Sequence, residues 1–221
     1  MLILKEALYL FRKDLHLEWR SRYAFYGVLI YVVASVYITY LSFNQHQPPA
    51  LVWNVIFWII ILFAAINAIA RSFTQEGRGR QLYYYTIASA QAVILAKIIY
   101  NGVLMLVLSS VAWIVYRLFF GSPVQDELMY AIAVFLGSIS FSTVFTLISS
   151  IASKANNSGT LMAILSFPLI VPVLLLLIKL SKNALDGLDR SVSGDEILVL
   201  GSLSVMITAV SFLLFPYLWR D

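Results

Sequence analysis

The chain of 221 residues contains no cysteine and only two histidines, His16 and His46. The lack of cysteine excludes disulfides, thiol nucleophiles and thiolate metal sites. A G-x-x-x-x-G-K-[ST] motif is also missing, so the chain supplies no phosphate-binding loop of its own. We therefore expect a protein that is not an enzyme and that binds no cofactor directly. His46 is the better candidate for a ligand, although an isolated histidine in a polar turn is more often only solvated.

Charged residues are scarce, at 12% of the chain, whereas hydrophobic residues make up 61%. A helix needs about 20 apolar residues to cross a hydrocarbon core of about 30 Å. Six runs of this kind contain no Asp, Glu, Lys, Arg or His: Ala24 to Phe43, Ala50 to Ala70, Ile98 to Tyr116, Leu128 to Ser153, Gly159 to Ile178 and Ile197 to Leu218. The sequence therefore predicts an all-α membrane protein with six transmembrane helices.

The 15 Lys and Arg residues are distributed unequally between the two sides of these spans. With the amino terminus in the cytoplasm, eleven lie inside: Lys5, Arg12, Lys13, Arg20, Arg22, Arg71, Arg78, Arg80, Lys97, Lys154 and Arg220. The other four lie outside: Arg117, Lys179, Lys182 and Arg190. Positive loops are retained in the cytoplasm, so both termini are predicted there. This asymmetry accounts for the net charge of +4 without a nucleic-acid partner.

Residues 1–23 are too charged to cross a membrane, but they have an amphipathic pattern. Apolar residues at helical spacing form one stripe: Leu4, Leu8, Phe11, Leu15 and Trp19. Most basic residues lie on the other side: Lys5, Arg12, Lys13, His16 and Arg20. The pattern favours an interfacial helix in the inner headgroup layer over a cytosolic helix packed on a partner.

Two polar segments interrupt the apolar runs of what we interpret as a single transmembrane domain, residues 1–221. The segment 179–196 is predicted outside, either as a short external helix or as a solvated loop. The segment 71–97 is predicted inside, where a surface helix would contact the motor subunit of an ATP-driven permease. Its candidate coupling residues are Arg71, Phe73, Glu76, Arg80, Leu82, Tyr83 and Tyr84. Glu76 and Arg80 would share one helix face, and the tyrosines would either anchor a partner or form an interfacial aromatic belt.

Two spans carry distinctive residues. In the fourth, a ridge of small residues recurs every four positions and favours close helix packing over a substrate path: Ser138, Ser142, Thr146 and Ser150. In the fifth, Pro168 and Pro172 each remove a backbone donor. We predict that this span is kinked or broken between residues 166 and 173.

These residues resemble a known family. The pattern G-x-L-x-x-I-L-x-x-P-L-x-x-P-x-L runs from Gly159 to Leu174, and R-x-F-x-x-E is formed by Arg71, Phe73 and Glu76. Both are similar to motifs of the CcmB family, the haem exporter B subunits of cytochrome c maturation, which belong to the ABC-2 type permeases. The resemblance covers essentially the whole chain.

The resemblance implies a permease of the bacterial cytoplasmic (inner) membrane that works with an ATPase, CcmA, and supports haem export or ATP-driven release of a haem-loaded chaperone. It also implies the membrane partners CcmC and CcmD and the haem chaperone CcmE. ATP would act through the partner subunit, with haem as the candidate cargo, and a symmetric ATPase pair would require a second copy of this chain. The alternatives are an ABC-2 permease for lipid, polysaccharide or drug, and a non-transporting membrane scaffold for haem ligation.

Overall fold

A computed structural model of the chain describes residues 2–21, 23–70, 72–73, 88–154 and 158–220. Within these ranges the elements are seven α-helices and one short 3-10 helix, Arg190–Ser193. The α-helices are α1 Leu2–Ser21, α2 Tyr23–Ser42, α3 Ala50–Ile69, α4 Ala90–Phe120, α5 Glu127–Ala152, α6 Ser158–Leu185 and α7 Gly194–Arg220. The predicted all-α architecture is confirmed.

The helices α2 to α7 correspond to the six predicted membrane spans. Five of them, α3 to α7, are long and apolar enough to cross a membrane by length and composition. The helix α2, which has 20 residues, is apolar over its described stretch Tyr26–Ser42. The structure therefore has an N-terminal amphipathic helix followed by six apolar helices, α2 to α7.

The helix α5 is the centre of the bundle, because it contacts α3, α4, α6 and α7. Every residue from 140 to 150 is buried. Small and hydroxyl side chains make this possible, since they allow neighbouring backbones to approach closely. At Gly137 an added Cβ would lie 2.6 Å from two ring carbons of Trp58, which is fully buried on α3. The Trp58 Nε1 donates to Ser181 Oγ of α6 at 2.8 Å, and so joins the three helices at this level.

Side-chain contacts define the two ends of the bundle. We call the end that holds α1, the last turn of α3 and the first turns of α4 the α1 end. At the opposite end, ion pairs connect the helix termini: Arg117 with Glu127 at 2.8 Å, Asp126 with Arg190 at 2.7 Å, and Lys179 with Glu196 at 2.6 Å. Two residues at that end adopt positive φ, Asn44 at 51° and Gln45 at 62°, in the turn between α2 and α3.

Two helices extend beyond the predicted apolar spans. The helix α4 begins at Ala90 rather than at Ile98, and Ser89 caps it by accepting from Ala92 N at 3.3 Å. The segment 179–196, predicted as a short external helix or a solvated loop, is mostly helical, because α6 continues to Leu185 and the 3-10 helix follows at Arg190. Its place outside the membrane stays a prediction. The predicted spans ended at the first charged residue. In the structure the helices continue past these charged residues, because their side chains find partners.

The span was predicted to be kinked or broken at Pro168 and Pro172, and α6 runs through both prolines without a break. The two prolines are four residues apart and both are exposed, so they share one face of α6. Only the hydrogen bonds to the carbonyls of Ile164 and Pro168 are lost, and the bonds on the other faces remain available to hold the helix together. A bend at these prolines stays a prediction.

Candidate functional site

The candidate site lies at the α1 end, where the chain leaves α3 and later returns at α4. Of the seven predicted coupling residues, Phe73 lies within the described part of the chain. The other six lie outside the described residues: Arg71, Glu76, Arg80, Leu82, Tyr83 and Tyr84. The structure does, however, show how both flanks of this segment are attached to the bundle.

Phe73 is buried inside its own chain, with 8% of its surface exposed. Its ring packs on Phe215 of α7, with 5.5 Å between the ring centroids, and joins a small core with Val93 and Ile94 of α4. The Lys97 Nζ lies 6.0 Å from the centroid of the Phe73 ring. Phe73 thus anchors the start of the polar segment to α4 and α7, and its part in coupling to an ATPase stays a prediction.

Asn101 of α4 holds the residue before Phe73 as well. The Asn101 amide is fully buried, and its Nδ2 donates to Ser72 Oγ at 3.2 Å and to Thr146 Oγ1 at 2.8 Å. Ser149 of α5 adds a contact nearby by donating through Oγ to the Ala70 carbonyl at 3.3 Å. The end of α3 is thus hydrogen-bonded to both α4 and α5.

The four residues of the predicted small-residue ridge are all buried within this one chain. Thr146 accepts from Asn101, and Ser142 Oγ donates to the Ile98 carbonyl of α4 at 2.9 Å. Ser138 and Ser150 instead donate to carbonyls of their own helix, those of Val134 at 2.8 Å and Leu147 at 2.6 Å. The ridge is therefore used in packing inside the chain.

The helix α1 presents two different apolar faces at this end. The predicted apolar stripe is exposed at Leu4, Leu8 and Leu15, by 60%, 50% and 40%. The face that packs against α4 is another one, centred on Ala7, which is 1% exposed, with Ile3 and Leu10 beside it. The stripe therefore remains available for a membrane surface while the neighbouring face contacts the bundle.

Two acidic residues of α1 also contact α4, and sequence reasoning missed both. Glu6 Oε2 accepts from Ser89 Oγ at 2.8 Å, and Asp14 Oδ2 lies 3.0 Å from Lys97 Nζ. The signal in the sequence was the presence of two acids, eight positions apart, on a helix whose other charges are mostly basic. Their spacing of about two turns keeps both near the side that faces α4.

The two histidines are far apart in the fold. His16 is exposed on α1, whereas His46 is exposed in the turn at the opposite end, where its Nδ1–H donates to the Asn44 carbonyl at 2.7 Å. Within the described ranges, no group of three or more His, Cys, Asp or Glu side chains could hold a metal ion. The described residues at the α1 end instead form anchors between helices.

A family model described as "CcmB protein" matches residues 5–217. The chain belongs to the CcmB family. No curated protein matches it significantly. As a CcmB family member it is a multi-pass membrane protein of the ABC-2 permease type, a transporter subunit, and a membrane component of the haem export system of cytochrome c maturation.

Proposed function

We propose that this chain is a permease subunit driven by a separate ATPase of the CcmA type, in the bacterial inner membrane with both termini in the cytoplasm. The CcmB family match over residues 5–217 carries this proposal. The anchoring at the α1 end supports it, because a segment that receives force must be attached to the helices that it moves. Ser72 and Phe73 connect the start of the segment to α4, α5 and α7.

We expect the docking element to be the segment 71–97, where Glu76 and Arg80 would share one helix face and Leu82, Tyr83 and Tyr84 would be the anchors. Charge reversal at Glu76 combined with Tyr84→Ala should release the ATPase from purified membranes without lowering the amount of this protein. A matched control is Tyr217→Ala, since Tyr217 is 73% exposed on α7 and lies outside the segment. Unchanged co-purification of the ATPase with the double variant would place the docking surface elsewhere.

Two copies of this chain engage a symmetric ATPase pair, since each chain offers one docking segment. CcmC, CcmD and the chaperone CcmE complete the assembly. Native mass spectrometry of the purified complex should show two copies of this chain per ATPase dimer. A complex with one copy per ATPase dimer would contradict the symmetric arrangement.

The ATP-driven step is either haem export or the release of haem-loaded CcmE. Reconstitution of the chain with its ATPase and partners separates them, because haem flux and chaperone release can be measured in the same vesicles. ATP-dependent haem flux without the chaperone would support export by this subunit. Chaperone release without flux would support a mechanical role, and the lack of both ATP-dependent signals would favour a non-transporting scaffold.

A further inference from the structure

The first turn of α4 is capped from another helix. Ser89 accepts from Ala92 N at 3.3 Å, as an N-cap residue commonly does. The same serine donates through its hydroxyl to Glu6 Oε2 at 2.8 Å and through its backbone N–H to the same oxygen at 3.2 Å. One carboxylate of α1 therefore fixes both the side chain and the backbone at the residue where α4 begins.

A second contact lies two turns further along both helices. Lys97 Nζ and Asp14 Oδ2 are 3.0 Å apart, with only 9% and 7% of their side chains exposed. Asp14 also pairs with the neighbouring Lys13 at 3.0 Å. Removing one partner of a buried pair leaves an uncompensated buried charge, so such a pair strongly disfavours separation of the groups that carry it.

Between these two contacts the helices touch through alanines. Ala7 of α1 packs with Ala92 and Ala96 of α4, and all three are at most 1% exposed. Side chains of this size let two helix backbones approach closely, and they leave little room for one helix to rotate on the other. The two polar contacts and the alanine contact together fix the position, the register and the orientation of α1 on α4.

We infer that α1 and residues 89–97, the cap and first two turns of α4, move as one rigid body. In this body, Glu6 and Asp14 are positioning residues for the C-terminal end of the segment 71–97, which we call the coupling segment. The inference rests on the proposed function for its mechanical role, while the rigid body itself can be tested separately. In this arrangement, a displacement of the coupling segment carries the membrane-facing stripe of α1 together with α4.

Cysteine crosslinking tests the rigid body directly, because the native chain contains no cysteine. Ala7→Cys combined with Ala92→Cys or with Ala96→Cys should form a disulfide under mild oxidation. The oxidised protein should keep ATP-dependent activity within about twofold of the reduced protein, since the crosslink joins parts that already move together. The matched control is Tyr9→Cys with Ala96→Cys, because Tyr9 is 73% exposed and should not crosslink.

Two results would overturn the inference that α1 and residues 89–97 move as one rigid body. In the first, neither alanine pair would crosslink more than the control pair does. That result would show that α1 is not held against α4. Efficient crosslinking that abolishes activity, with full recovery on reduction, would show that α1 must separate from α4 during the cycle.

Charge variants test the positioning role. Asp14→Asn and Lys97→Gln should each lower the amount of chaperone released or haem moved per ATP hydrolysed by about fivefold or more, a typical coupling effect. Asp14→Glu, and the exchange of Asp14→Lys with Lys97→Asp, should recover most of that ratio. Lys13→Gln is the control, since its side chain is 30% exposed and the buried pair remains in place.

The amount of chaperone released or haem moved per ATP hydrolysed distinguishes a positioning role from a purely structural role. A structural role would lower the amount of protein or its unfolding temperature but leave the ratio unchanged, and that result would overturn the positioning role. If the native complex shows no ATP-dependent output at all, the proposed function fails. The crosslinks would then still decide whether α1 and α4 form one body.

Discussion

Asn101 of α4 and Thr146 of α5 are joined by a buried hydrogen bond of 2.8 Å, in which Asn101 Nδ2 donates to Thr146 Oγ1. The same amide nitrogen also donates to Ser72 Oγ at 3.2 Å. A single side chain thus connects the start of the coupling segment to the central helix of the bundle. Polar residues between membrane helices commonly act in this way, because no water is available to replace the lost partner.

Replacement of Asn101 by Ala should therefore destabilise the protein by about 1 kcal/mol, the usual scale for a hydrogen bond between membrane helices. The unfolding temperature in detergent would measure the loss. Asn67→Ala is the matched control, since Asn67 is exposed and donates only to the Phe63 carbonyl of its own helix. Equal unfolding temperatures for both variants would contradict the anchoring role of Asn101.

Gly137→Ala should destabilise the bundle by about 1 to 3 kcal/mol, the typical cost of overpacking a filled core. The added Cβ would lie 2.6 Å from the Trp58 ring, which is held by its bond to Ser181. Gly201→Ala is the control, because a Cβ there meets nothing within 4 Å. Thermal unfolding of both variants checks this expectation, and a neutral Gly137→Ala would show that Trp58 moves freely.

Acid should weaken the contact between Asp126 and Arg190. The side-chain hydrogen bonds from Arg190 lower the pKa of Asp126 below its ordinary value, with help from the bond that Asp126 accepts from Met129 N. Because the folded pKa lies below the unfolded value of about 3.9, the ion pair contributes stability above that pH. This contribution is lost as the pH falls through the folded pKa.

Unfolding temperatures from about pH 6 down to about pH 2, which covers the range below the unfolded pKa of about 3.9, would measure this loss for the native chain and for Asp126→Asn and Arg190→Gln. Asn keeps the capping ability of Asp at the start of α5, so Asp126→Asn separates the charge from the cap. Both variants should show a smaller decrease towards acid pH than the native chain. An identical decrease in all three proteins would assign the acid sensitivity to other carboxylates.

Replacement of both Pro168 and Pro172 by Leu should preserve membrane insertion and reduce function. Leucine restores backbone N–H donors to the carbonyls one turn earlier, so α6 becomes stiffer along the face that carries the prolines. Cytochrome c maturation supported by the variant, normalised to the amount of this protein in the membrane, would measure the effect. Leu175→Ala is a control, since Leu175 is 63% exposed on the same helix. Normal maturation with the double variant would remove the mechanical role of this face.

Much of the fold could be predicted from the sequence because the bilayer restricts the choices. Each uncharged run of about 20 residues must form a helix, since hydrocarbon leaves no other way to satisfy the backbone. The position of α4 could not be predicted in this way. Lys97 comes directly before the apolar run that begins at Ile98, but in the structure it lies inside a helix because Asp14 neutralises it. Only the folded chain brings these two residues together.

The candidate site was predictable as a segment but not as a set of contacts. The motif R-x-F-x-x-E placed Phe73 among the coupling residues, whereas the structure buries its ring against Phe215. The local sequence around an aromatic residue in a polar segment does not show whether its ring contacts a partner or packs against its own chain. The difference depends on α7, which follows more than a hundred residues later.

The sequence by itself determined the number and type of the helices and the family, because hydrophobic length and local motifs are properties of short segments. It also determined that α1 is amphipathic. Only the tertiary structure decided which face of α1 meets α4, since Ala7 and Asp14 are unremarkable until Ala96 and Lys97 lie opposite them. Pairings between distant residues depend on the three-dimensional arrangement of the helices, and the hydrophobic pattern of any one helix does not encode that arrangement.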